Sequence, residues 1–159
     1  MGRHWLMKSE PSVYSIADLR RDKRTGWEGI RNYQVRNWFR DEVKVGDDVL
    51  FYHSNADPMG VAGLARIVGE AYPDESAFDK KSEYYDPKSK KDDPAWLKVD
   101  VGFVEQWAEP VTLAEIKADK ALDGILVARK GQRLSVQPVT DAHYERIVAL
   151  GRKKGRVIG

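Results

Sequence analysis

Between Trp27 and Arg40 the chain reads WEGIRNYQVRNWFR, which gathers four aromatic rings, three arginines and three side-chain amides into one short run. A packed core takes the aromatics and rejects the arginines, and a solvated face does the reverse. A surface for flat, polar, anionic ligands uses both. Trp27 sits among Gly26, Glu28 and Gly29, a setting too polar for a core strand. An indole held there can stack on a nucleobase, a contact worth about 1–3 kcal/mol per base. The amides of Asn32, Gln34, Asn55 and Gln137 both donate and accept, as the polar edge of a base requires. Arg31 suits either a phosphate or the bracing of a turn.

The same inventory argues against catalysis. His4, His53 and His143 show no metal-ligand spacing. His53 and Ser54 are adjacent, so on a strand they point to opposite faces and cannot form a dyad. Cysteine is absent, which removes disulfides, a thiolate nucleophile and cysteine-bound metal. No phosphate-cradling glycine loop or dinucleotide fingerprint appears. No catalytic residue, metal or cofactor is expected. The alternatives are a hydrolase acting on a modified nucleotide, with Glu10 or His53 as its base, and an RNA-binding accessory domain with no preference for a modification.

These side chains need a scaffold, and 159 residues suffice for one domain with a proper core. Residues 1–151 read as that domain and 152–159 as a basic tail that frays. His4 to Lys8 forms a strand stopped by Pro11, and Ser15 caps a helix carrying Asp18 at its third position. Val35, Trp38 and Phe39, at i, i+3 and i+4, predict a helix facing the core. Strands follow over Val49–Ser54, Val61–Ala71 and from Leu97, where apolar residues alternate. The polar stretch from Pro73 to Pro94, with Tyr84-Tyr85 inside it, is a long loop, so it lies beside a ligand or moves. Thr112-Leu-Ala-Glu115 is a capping box, and a strand over Leu134–Val139 leads to a last helix capped by Thr140 and stopped by Gly151. Strands carrying Gly63 and Gly69 favour an α+β fold with a curled mixed sheet or open barrel.

Charge adds little. The net value is +2, from 27 basic and 25 acidic residues, and the basic clusters at Arg20–Arg24, Lys88–Lys91 and Arg152–Arg156 permit nucleic acid without requiring it. No apolar run reaches membrane-spanning length, so no membrane partner is expected. Location is expected to be cytoplasmic, or nuclear in a eukaryote, and the chain a monomer.

The blocks HWLMKSEPSVYSIADL, WEGIRNYQVRN, GDDVLFYHSN, AYPDESAFDKKSEYYDPKS, PAWLKVDV and GQRLSVQPVT resemble, in order, the EVE domain family. That resemblance implies a PUA-like fold, a curled mixed sheet with short flanking helices. It also implies binding of DNA or RNA with a modified base, such as methylated or oxidised cytosine, held in a pocket. A more distant likeness to YTH domains rests on Lys8-Ser9, Trp27, and Ser54-Asn55 leading to Gly60-Val61-Ala62. The resulting candidates are Lys8, Ser9, Glu10, Trp27, Arg31, Asn32, Tyr33, Gln34, Tyr52, Ser54, Asn55, Ser135 and Gln137, with Tyr33 or Tyr52 as a second aromatic wall. Glu10 is either a plain turn residue or an acceptor for the exocyclic amine of cytosine.

Overall fold

The computed structural model describes residues 3–159. Strand β1 (His4–Ser9) leads to helix α1 (Ile16–Asp22), opened by a capping box. The Ser15 hydroxyl accepts from the Asp18 amide at 3.1 Å, and the Asp18 carboxylate accepts from the Ser15 amide at 2.9 Å. Strand β2 (Arg24–Trp27) runs into helix α2 (Tyr33–Asp41), and β3 (Asp48–His53) and β4 (Gly60–Ile67) follow as an antiparallel pair. The second expected strand thus ends at Ile67, short of Ala71. A short β5 (Tyr72–Pro73) precedes the polar segment, and then comes β6 (Leu97–Thr112), the longest element. Helix α3 (Leu113–Ala118), β7 (Val136–Val139), α4 (Asp141–Arg152) and β8 (Val157–Ile158) complete the chain.

One mixed sheet organises all of this, with strand order β2-β6-β4-β3-β1-β7 and both β5 and β8 also paired to β6. The pair β1–β3 is parallel and every other pairing antiparallel. The sheet curls without closing, as a PUA-like fold does, and β4 shifts register at Gly63. Alternation along the strands gives two buried faces. Trp5, Met7, Val49, Phe51, Val99 and Val101 meet α1 and α2 on one face. Leu6, Leu50, Tyr52, Leu64 and Trp107 meet Ile116 of α3 and Ile147 of α4 on the other.

Three expectations change. Val35 and Phe39 are buried, but Trp38 is only partly so, packing its ring 5.8 Å from Trp5 at the core's edge. Gly151 lies inside α4 rather than stopping it. A β-carbon there would fall 2.3 Å from the Trp107 ring, so the glycine permits close helix-to-sheet approach. The basic end is tied to the rest of the fold. Arg152 forks onto Glu105 at 2.7 and 3.1 Å, Lys154 pairs with Glu115, and Val157–Ile158 pairs with Gln106 and Trp107.

Candidate nucleobase pocket

A cavity of about 520 Å³ opens at one end of the sheet, on the face covered by α1 and α2. The end of β1 supplies Lys8, Ser9 and Glu10, and β2 supplies Thr25 and Trp27. Tyr14 lines it from the loop before α1, and Glu83 and Tyr84 from the polar segment. The volume falls within the roughly 300–1,000 Å³ of small-ligand sites. The polar segment is therefore beside the cavity, and it is tied down: Trp96 Nε1 donates to Asp86 at 2.6 Å.

Trp27 is both wall and core. It is 9 % exposed, meets Phe51 edge-on at 5.6 Å, and still lines the cavity. Burial holds the Lys8 amine below its ordinary pKa. Burial, helped by the Asp22 carboxylate at 2.9 Å, pushes the Tyr14 hydroxyl up to about 12, and burial also raises Tyr84. Both phenols stay neutral donors at physiological pH. Glu10 is oriented by Asn55, whose amide donates to it at 3.1 Å from a backbone with φ of 48°. An oriented carboxylate at the cavity edge is an acceptor for an amine.

His53 sits behind this wall. Its Nε2 accepts from the Ile16 amide at 3.1 Å, and burial lowers its pKa, so the ring is neutral with its lone pair occupied. That arrangement braces the start of α1 and leaves no free base.

Of the sequence candidates, Lys8, Ser9, Glu10 and Trp27 line the cavity, and Asn55 reaches it through Glu10. The others lie elsewhere. Tyr52 is buried on the opposite face of the sheet, because it alternates with Phe51. Tyr33 is 59 % exposed and packs against Trp96 at 4.6 Å, away from the cavity. The second wall is Tyr84, with Tyr14 beside it. Asn32 caps α2 by accepting from the Val35 amide at 3.1 Å, and Gln34 is exposed on that helix. Arg31 braces the turn through an ion pair to Asp74 at 3.1 Å. Ser54 and Ser135 meet β1 through backbone bonds, to Ser9 and from Lys8 respectively. Gln137 is buried and donates to the Leu134 carbonyl at 2.8 Å. Tyr84 carried one sequence signal, an aromatic pair inside a hydrophilic run, whereas nothing in the pattern singles out Tyr14.

The family model for the EVE domain matches residues 3–150. Thymocyte nuclear protein 1 of Homo sapiens is 43% identical over 172 residues, covering 97% of this chain and 76% of that protein. A hypothetical protein from Leishmania major superposes with a TM-score of 0.92 at 45% identity, covering 98% of each chain. Human THYN1 protein, solved in complex with 5-methylcytosine-containing DNA, superposes with a TM-score of 0.87 at 41% identity, covering 97% of this chain and all of that one (100%). A sheet of this topology and a match over nearly its whole length establish that the chain belongs to the EVE domain family.

Proposed function

We propose that this chain is a non-catalytic nucleic-acid-binding domain that holds a modified base, a methylated or oxidised cytosine, in the cavity between Trp27 and Tyr84. The observation that carries this is the cavity itself, where two aromatic side chains and the oriented carboxylate of Glu10 converge. The relative solved with 5-methylcytosine-containing DNA supports the same reading. A base in a duplex is flipped out at a cost of a few kcal/mol and is then held by stacking and edge hydrogen bonds. Glu10 accepts from the N4 amine, which thymine lacks although it carries the same 5-methyl group. The methyl group adds only about 0.8 kcal/mol when buried, so methylation alone gives modest discrimination. The same reading places the protein where nucleic acid is, in the cytoplasm or, in a eukaryote, the nucleus.

Titration with oligonucleotides of one sequence, differing only in the cytosine mark and run at stated salt, tests this. Tighter binding of a modified oligomer is expected, with no product by mass spectrometry. Equal affinity for all oligomers would make it a general nucleic-acid-binding domain, and turnover abolished in E10Q would make it an enzyme.

A further inference from the structure

The two aromatic walls come from distant parts of the chain, and one buried carboxylate stands behind both. Asp74 is fully buried (0 % exposed). One of its oxygens accepts from the Ser76 amide at 3.0 Å and from the Ser76 hydroxyl. The other accepts from the Gly29 amide at 2.9 Å and from Arg31 Nη1 at 3.1 Å. Burial alone would raise its pKa, but these donors outweigh it and hold the carboxyl below its ordinary value.

Arg31 extends the link to the second wall. Its Nη2 and Nε donate to the Tyr84 carbonyl at 2.6 and 3.2 Å, Nη1 also donates to the Ile30 carbonyl at 2.8 Å, and Nη2 reaches Ser76 Oγ at 3.3 Å. Guanidinium offers five N–H donors, and Arg31 makes five protein contacts. None is left for a phosphate. The guanidinium carbon also lies 5.7 Å from the Tyr84 ring centre and 5.4 Å from that of Trp96. Gly29, two residues past Trp27, has φ of +81°, and a β-carbon there would fall 2.5 Å from the Tyr84 ring. The Tyr84 ring thus lies directly on the backbone of the Trp27 turn.

We propose that Arg31 and Asp74 are positioning residues for the base: they form a clasp that fixes the spacing between Trp27 and Tyr84 from behind the pocket. This rests on the base-binding reading of that cavity. A fixed gap matters because a stacking site held about 1 Å too wide loses the contact that distinguishes a bound base from solvent. Lysine cannot replace the arginine, since a point ammonium reaches Asp74 or the Tyr84 carbonyl but not both with a planar fork.

The test uses R31K, with D74N as the second variant, and three readouts. Duplexes with and without 5-methylcytosine are titrated at several salt concentrations. The free protein is also digested with trypsin, because Lys80, Lys81 and Lys88 flank Tyr84 and are exposed. Lys117, exposed on α3 across the sheet, reports global opening. R31K is expected to weaken binding of the methylated duplex about tenfold and to erode its preference over the unmodified one. The slope of log affinity against log salt should be unchanged. Cleavage at Lys80–Lys88 should accelerate while Lys117 keeps its rate, and D74N should move each readout the same way. In a third variant, R31Q, which removes the charge that R31K keeps, a salt slope shallower by about one unit with preference retained would make Arg31 a phosphate ligand and overturn the proposal. Unchanged preference and unchanged cleavage would overturn it too. If wild type binds neither duplex, the base-binding reading fails, while cleavage accelerated only at Lys80–Lys88 still upholds the clasp.

Discussion

The two faces of the sheet use the same strands and are covered in opposite ways. On the face bearing Trp107, α3, α4 and the turns carrying Leu122, Ile125 and Val127 lay apolar side chains on the sheet, and the buried carboxylate of Glu105 is met by Arg152 and by Trp107 Nε1. On the face bearing Trp27, α1 and α2 cover part of the surface, and the rest is closed by irregular chain built around buried Asp74. Helices can bury a face completely because their backbone groups are satisfied internally. Irregular chain contributes to both covers, but around Trp27 it is built on a polar centre, Asp74, and leaves a cavity of about 520 Å³. The base site we propose lies on this second face.

Substitutions can separate the faces. Trp27→Ala should have the largest effect, because the ring is both core and wall. It should cost about 3–5 kcal/mol of stability, seen in denaturant melts, and weaken oligonucleotide binding by about 1–3 kcal/mol. Loss of binding with full stability would mean that Trp27 belongs to the pocket alone. Gly151→Ala should cost about 1–3 kcal/mol through the clash with Trp107 and leave the affinity of the folded protein unchanged. Tyr84→Ala should do the converse, reducing base affinity by about 1–3 kcal/mol with little change in melting. The smallest effect is on acidification. Asp74, Glu105 and Glu115 all have lowered pKa values in the fold, so each adds stability above the ordinary carboxylate range and loses it as pH falls below that range. Acid titration of D74N should lack the share of this loss that belongs to the pocket face. An identical acid profile in D74N would count against a depressed Asp74.

Much of this was readable from the residues. Ser15 with Asp18, Thr112 with Glu115, and Thr140 mark helix starts where they occur, because caps are local chemistry. Trp27 is legible as a cavity residue because its neighbours are polar, whereas Lys8 and Ser9 come from the likeness to YTH domains and Glu10 from the chemistry of a carboxylate acceptor. Tyr52 was not, since the side of the sheet it joins depends on a pairing register that β3 shares with β1 and β4. Asn32 and Gln137 offered the same amide chemistry as a base-reading residue, and only tertiary placement shows those groups engaged by the protein itself. The tail looked free because its charges find partners, Glu105 and Glu115, far away in sequence.

Strand β6 joins the two stories, and it bears on how the protein is made. Strand β3 finds both its partners, β1 and β4, within the first 67 residues, whereas β1 and β4 each have a second partner, β7 and β6, later in the chain. Strand β2 has its partner only in β6, with Trp27 opposite Val99 and Thr25 opposite Val101. A nascent chain that has not yet released β6 therefore lacks the strand that pairs with Trp27. Domains that depend on such distant pairing assemble late. The proposed base pocket thus requires β6, and with it most of the chain.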